Sequence, residues 1–325
     1  MAKSLYSSFF IACFAALLFN SCSKQDMHEC DEQETAAQPG NRACGTMQAF
    51  QMLVQEDPGL IQKMEQIEAF TQQVSQNLRL LPNGTIEIPV VVNVLYKTSA
   101  QNISMAQIQS QIDVLNKDFA ATNSDYSNTP ALFQSVRSGN TGITFVLDQV
   151  FRKATNKSSW NTNNAMKKTS QGGINPTSST TKLNIWCCNM GGGILGYAQF
   201  PGGPSNTDGV VIDDNAFGDT GTASPPYHKG RTATHEVGHW LNLRHIWGDS
   251  NCGSDLVSDT PSHNTANYGC PNYPHLSTCS GTPVEMTMNY MDYTDDACMY
   301  MFSLGQKTRM NAVFATGGPR NSFAQ

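Results

Sequence analysis

Charge is scarce in this chain: Asp, Glu, Lys and Arg make up 14% of its 325 residues, against about a quarter in an average globular domain. Twenty basic against twenty-six acidic side chains leave a formal charge of −6, and no basic tract occurs. Nucleic acid is therefore not an expected partner. No apolar run reaches roughly eighteen residues, so no membrane-spanning helix is expected. Histidine is rare, at seven residues, which makes any clustering of it informative. Internal repeats are missing too. What the chain does have is 39% hydrophobic residues, enough for a buried core in one large domain or two modest ones. Gly, Ser, Thr and Asn are abundant, a composition more typical of exported proteins than of cytosolic helical enzymes.

The N-terminus points the same way. Lys3 precedes an apolar run from Phe9 to Phe19, the length of a signal-peptide core and too short for a stable anchor. The run ends at Asn20-Ser21-Cys22. A small residue before Cys resembles a bacterial lipoprotein cleavage site, which would make residues 1–21 a signal peptide and Cys22 the lipidated first residue. An ordinary signal peptide with a coincidental Cys is the alternative. Membrane attachment is thus expected only through such an anchor, and the protein is expected at the outer membrane or cell surface, or secreted after processing. Residues 23–43 are polar and acidic and read as a tether.

From Met47 to Leu81 apolar residues recur at helical spacing, with a break near Asp57-Pro58-Gly59. Residues 86–96 form a β-branched run that reads as a central strand. A helix follows, with Ser104 as N-cap, Gln107 closing a capping box, and Ile108, Ile112, Leu115 and Phe119 as its apolar stripe. Further strands are expected at 143–150, 183–187 and 209–212. The region from Gly248 to about Asn289 is loop-rich with paired cysteines, and residues 304–313 read as a last helix.

Chemistry concentrates in His235-Glu236-Val237-Gly238-His239-Trp240-Leu241-Asn242-Leu243-Arg244-His245. His235 and His239 are four apart, so on a helix both can aim a nitrogen at one zinc ion. Glu236 stands beside them as general base for a water. His245 cannot join from the same helix, because ten residues at about 100° each leave it roughly 280° round the axis. The chain must therefore turn after Asn242, and Asn tolerates the positive φ that such a turn needs. Chance on a surface helix is the bland reading; with seven His, a random HExxH is expected on the order of once in a hundred such chains. A downstream carboxylate ligand, Glu285, is the alternative to His245.

The segment resembles the HExxHxxGxxH pattern of metzincins, with Asn242 in place of Gly. Asn289-Tyr290-Met291-Asp292-Tyr293 matches their Met-turn. With Asp295-Asp296-Ala297-Cys298 and Gln306-Lys307-Thr308-Arg309-Met310, the chain resembles the pappalysin family of metzincin zinc metalloproteases, in particular its small ulilysin-like members, over residues 42–315. The resemblance implies an α/β (α+β) zincin: a twisted, mostly parallel sheet with the active-site helix (residues 80–245), then a loop-rich, disulfide-bonded subdomain with the Met-turn (246–325). It implies peptide hydrolysis at one catalytic zinc, with Tyr293 near the reacting oxygen and Met291 beneath the metal. Protein or peptide substrates would lie along Gly193, Ile194, Leu195 and Gly196, adding as a strand. A glycine-rich turn is the competing reading of that stretch.

Relatives cleave before arginine, so Asp295 or Asp296 is the expected acid for the side chain after the cut, unless both are solvated loop carboxylates. Arg79, between the N-terminal helices and the first strand, is then a self-cleavage point, making residues 22–79 a tether and prosegment. Arg42-Ala43-Cys44-Gly45-Thr46 resembles the family's cysteine switch, in which Cys44 would occupy the zinc of a latent form; a Cys30–Cys44 disulfide competes with it. The family implies disulfides Cys252–Cys279 and Cys270–Cys298. Cys187 and Cys188 follow an apolar strand, where at least one packs as a small hydrophobe. Asp255, Asp259 and Thr260 offer oxygen ligands on a loop, suited to a structural calcium or to a plain acidic turn. A monomer is favoured. Against the enzyme stands a second class, a cell-surface binding lipoprotein with a structural zinc, although a general base and a blocking thiol argue against it.

Overall fold

The computed structural model describes residues 41–77 and 85–323. The expectations at Cys22, Cys30 and Arg79, and the signal segment, lie outside the described residues. Within them, five strands form one sheet in the order β2-β1-β3-β5-β4. β1 (Ile86–Tyr96) pairs in parallel with β2 (Ile143–Ala154) on one side and β3 (Leu183–Cys188) on the other. Residues 90–95 are essentially fully buried, which is why this strand is a continuous apolar run rather than an alternating one. β5 (Val210–Asp213) continues the parallel set, and β4 (Gly196–Ala198) closes it as an antiparallel edge.

Two expectations change. β2 runs to Ala154, beyond residue 150, because it follows β1 along its whole length, Tyr96 opposite Ala154; its second half is polar since an edge strand need bury little. In α3 (Met105–Phe119), Ser104 Oγ accepts from Gln107 N at 3.1 Å, but the Gln107 amide does not close a capping box. It donates instead to Phe217 O and Thr222 Oγ1. The complete box belongs to α5 (Leu304–Ala312), between Ser303 and Gln306.

Near the N-terminus, α1 (Thr46–Glu56) and α2 (Gly59–Asn77) break where Pro58 forbids helix at Asp57, whose φ is −139° and whose Oδ1 accepts from Gly59 N. α4 (Arg231–Trp240) starts after Gly230 at φ +72° and is buried along its length. The core lies on both faces of the sheet. One side holds Val90, Val92, Val94 and Cys187 against α3 and α4; the other holds Leu95, Trp186, Cys188 and Tyr197. Adjacent Cys187 and Cys188 thus point to opposite faces, and both are buried free thiols. Beyond α4 the chain is mostly loop, and two disulfides, Cys252–Cys279 and Cys270–Cys298, tie it together. These are the pairings that the family resemblance implies.

Lys167 is fully buried under the second core face. Its Nζ donates to Thr207 O at 2.8 Å and lies 5.3 and 4.8 Å from the Trp186 and Tyr197 ring centres. Burial pulls its pKa down to about 7, against the raising effect of Asp208. The folded state therefore favours the neutral amine, while the unfolded chain stays protonated up to about 10.4. Stability from this group is present above the unfolded value and is lost as pH falls through about 7. We expect the unfolding free energy of wild type, relative to Lys167→Met, to rise by up to about 1.4 kcal/mol per pH unit between 7 and 10. Denaturant titrations giving a pH-independent difference would contradict this.

Candidate active site

α4 sets His235 and His239 one turn apart, and the chain then reverses at Asn242, φ +73°. The turn bonds Asn242 N to His239 O and Leu243 N to Gly238 O, bringing His245 back over the helix. His239 Nε2 lies 3.1 Å from both His235 Nε2 and His245 Nε2. Each imidazole is held by its other nitrogen: His235 Nδ1 is 2.7 Å from Tyr290 O, His239 Nδ1 is 2.8 Å from Leu243 O, and His245 Nδ1 is 2.5 Å from Asp249 Oδ1. Carbonyls only accept, so the first two rings carry hydrogen on Nδ1 and turn bare lone pairs inward. Burial, then the neighbouring imidazoles, push the His235 pKa down, and His239 falls to about 3 from burial and His245. Bare lone pairs on His235 and His239, with the third ring nitrogen brought as close, make a nest for a cation. Tetrahedral zinc with Zn–N of about 2.0–2.1 Å needs nitrogens about 3.3 Å apart. The donor set therefore fits zinc.

Asp249 is a residue that the sequence reading missed. Burial raises its carboxyl, but His245 outweighs this and holds it below the usual range. A carboxylate four residues past a ligand was the available signal.

Beneath the three rings lies the Met-turn. Met291 is fully buried, and a Cβ at Gly238 would come within 2.5 Å of its Sδ, so α4 packs on it only because residue 238 is Gly. Ile246 N donates to Met291 O, and the preceding carbonyl is the one that orients His235. Tyr293 sits beside the site, its ring edge-on to His245 at 5.0 Å and its hydroxyl 3.4 Å from Cys44 O.

The fourth group at this point is Cys44. Its Sγ and one ligand atom of each histidine lie within 4.8 Å of one another, and all four residues are buried. Burial, then the Glu236 carboxylate, push the thiol pKa up; a cation among the imidazoles acts in the opposite direction. Cys44 is bridged in parallel to Gly196 of β4, with Leu195 N donating to Ala43 O and Gly45 N to Gly196 O. Gly193 and Ile194, expected in the edge strand, belong to a preceding turn, with Gly192 and Gly193 at φ +70° and +75°. Leu195 joins that turn to β4, its carbonyl accepting from Asp213 N. Glu236 is buried, and its Oε2 accepts from Thr46 Oγ1 at 2.9 Å and from Cys44 Sγ at 3.4 Å. Burial raises its carboxyl to about 7. No sequence signal distinguishes Thr46 from any other helix-starting threonine.

Arg42 fills a pocket beside this cluster. Its Nη2 pairs with Asp296 Oδ1 at 2.5 Å, Nη1 donates to Thr232 Oγ1 at 3.0 Å and Nε to Thr294 O at 3.1 Å, and the guanidinium lies 4.9 Å from the Tyr227 ring centre. The other Asp296 oxygen accepts from Lys229 N and Arg231 N. Asp296 is wholly buried, whereas Asp295 is partly exposed and feels the Arg42 charge without bonding to it.

The expected calcium ligands divide. Thr260 Oγ1 lies 2.9 Å from both Asp255 oxygens and from Val257 O. Asp259 is turned away, accepting from Ser303 Oγ and Gly305 N at the start of α5. Glu285, the alternative zinc ligand, accepts instead from Asn264 N and Asn267 Nδ2.

With this geometry in view, the chain can be set beside known proteins. The family described as pregnancy-associated plasma protein-A matches residues 190–315. An extracellular metalloprotease of Verticillium alfalfae is 33% identical over 241 residues, covering 70% of this chain and 78% of that protein. One from Colletotrichum graminicola is 31% identical over 292 residues, covering 84% and 90%. Among solved structures, mature mirolysin of Tannerella forsythia in complex with a cleaved peptide superposes with a TM-score of 0.72 at 48% identity, covering 74% of this chain and 96% of that one. A promirolysin mutant from the same organism gives 0.79 at 44% identity, covering 87% and 97%. The matched sheet, histidine helix and Met-turn region have one meaning: the chain belongs to the pregnancy-associated plasma protein-A family, the pappalysins, and is a zinc metalloprotease.

Proposed function

We propose that this protein is an exported endopeptidase made as a latent zymogen, in which His235, His239 and His245 hold one zinc and Glu236 is the general base. The observation that carries this is the convergence of three Nε2 atoms beside a buried carboxylate. Zinc bound there supplies Lewis acidity toward the scissile carbonyl and toward water. Glu236 takes a proton from the attacking water and passes it to the leaving amine. Its raised pKa suits both halves of that transfer. Tyr293 supplies a hydroxyl to the reacting oxygen, and Asp249 orients His245.

In this reading residues 22–79 are tether and prosegment, and 80–325 the catalytic domain, cut apart near Arg79. The prosegment denies the site three things at once. Cys44 takes the metal's remaining position, Thr46 occupies the general base, and Arg42 fills the pocket of Asp296. That pocket satisfies a guanidinium on Nε, Nη1 and Nη2 and backs it with an aromatic face, so Asp296 rather than Asp295 is the acid that selects arginine after the scissile bond. In a substrate the cut bond precedes that arginine. Here the residue at the histidines, Cys44, follows Arg42 in sequence, so the prosegment threads the cleft in the opposite sense and presents a thiol where a scissile carbonyl would lie.

Export is supported by relatives named extracellular metalloproteases; anchoring through Cys22 stays part of the proposal. Calcium held by Asp255, Val257 O and Thr260 would be structural, with Asp259 left to cap α5. Peptides or proteins are the substrates, and a mirolysin solved with a cleaved peptide supports that class.

Three outcomes test this. Glu236→Gln should retain one zinc per chain by elemental analysis yet remain uncut near Arg79 in a mass-spectrometric time course in which wild type shortens; a processed variant would remove Glu236 from the mechanism. Asp249→Asn should weaken zinc retention about 10- to 100-fold in chelator competition, and unchanged retention would leave Asp249 no orienting role. Asp296→Asn should lower kcat/KM for peptides with Arg after the cut by about 100-fold or more, through loss of a buried charged partner, while Asp295→Asn changes it little. Equal losses at the two positions would refute the assignment of the pocket.

A further inference from the structure

Main-chain pairing between the N-terminal segment and the sheet edge stops at Gly45, whose N–H reaches Gly196 O. From Thr46 onward the chain is α1, and a helix has its main-chain groups committed internally. α1 therefore holds the next part of the cleft with side chains alone. Thr46 points at Glu236, and Phe50, one turn on, packs edge-on against Phe200 with ring centres 5.8 Å apart. The Phe200 ring also meets the His239 ring, edge-on at 5.5 Å.

Phe200 lies two residues past the end of β4. Strand alternation puts it on the face of Gly196 and Ala198, the face turned to α4: a Cβ on Gly196 would meet Glu236 Cγ at 3.0 Å, and Ala198 packs in the core with Ala233 and Val237. Only 8% of Phe200 is exposed, and what covers it is the helical pair. Phe50, Leu53 and Leu60 enclose a cleft of about 10 Å³ against Ala198 and Phe200. Apart from Gln199 this contact is apolar, and along the N-terminal segment Arg42 precedes, and Phe50 follows, the Cys44 that sits at the histidines.

We infer that Ala198 and Phe200 form a subsite for an apolar substrate side chain on the amino side of the scissile bond, which Phe50 fills in the latent chain. The inference rests on the arginine reading for its direction: Arg42 marks the side after the cut, Cys44 the metal, and Phe200 the side before it. When α1 leaves, an aromatic ring in van der Waals reach of a zinc ligand is uncovered beside the edge strand. A substrate that lies along β4 buries that ring again, and each apolar side chain laid there gains hydrophobic free energy that Ser cannot supply.

The test uses zinc-loaded full chain that has processed itself, and peptides with one Arg in which Leu or Ser is scanned through the four positions before it. At one position Leu should raise kcat/KM about tenfold over Ser. Phe200→Ala should bring that Leu-to-Ser ratio to about one, and Phe200→Leu should keep it. The ratio within each variant is read, so a general loss of activity does not disturb it. A flat profile in wild type, or a ratio that survives Phe200→Ala, overturns the subsite. Failure of the arginine reading looks different, as no cleavage before Arg in any peptide. In that event Glu236→Gln chain, freed of its N-terminal segment by added trypsin, decides by calorimetry: about tenfold tighter binding of one Leu peptide supports the subsite, and equal affinities overturn it.

Discussion

Three imidazole nitrogens gathered around His239 Nε2 at about a hydrogen-bond length are the constraint on which the rest of this molecule is built. Such an arrangement suits a cation, and it stays aligned only if each ring is gripped by its other nitrogen. The grips come from three places in the chain: the Met-turn carbonyl of Tyr290, the carbonyl of Leu243 after the turn, and the carboxylate of Asp249. Two of these grips, Tyr290 and Asp249, belong to the loop-rich second half, which thus holds imidazoles of the first. Its two disulfides supply the rigidity that regular structure would otherwise give.

The start of α4 is fixed as firmly as its ligands. Arg231 pairs with both Asp125 oxygens and donates to the carbonyls of Asp296 and Met299, and Thr234 donates to Asp118. Burial raises the Asp118 carboxyl to about 6 despite Arg231. A second set of contacts joins α2 to the far end of the site. Glu68 pairs with Arg309 Nη1 and Nη2, Arg309 Nε donates to Asn242 O, and Asn242 Nδ2 donates to Thr71 Oγ1. The residue that turns the chain after the zinc helix is therefore also a docking point for the N-terminal helices. Buried ion pairs of this kind add little net stability while intact, but removing one partner leaves a buried charge uncompensated.

Much of this was legible beforehand, because the signals were local. His235 and His239 needed only helical spacing, and the turn at Asn242 followed from the angle that His245 had to cover. The β-branched run of β1 and the break at Pro58 were equally direct. What stayed hidden was non-local. The polar half of β2 carries no alternation, since its conformation is imposed by pairing with β1. Gly193 and Ile194 read as strand because glycine permits both close approach and left-handed turns, and sequence does not choose between them. Asp255 and Asp259 looked like one ligand set, but Ser303 and Gly305, more than forty residues away, claim the second carboxylate. Which of Asp295 and Asp296 faces the pocket depends on a side-chain direction that no spacing encodes.

One thiol in this protein has a different fate from four others. Cys252, Cys270, Cys279 and Cys298 are cross-linked, which demands oxidising surroundings, whereas Cys44 remains free and is only 3% exposed. Sulfur must be reached as an accessible thiolate to exchange or be oxidised. Enclosed between the imidazoles and Glu236, Cys44 is sheltered from the reagents that staple the loops, so a single compartment can cure the scaffold and leave this thiol chemically intact.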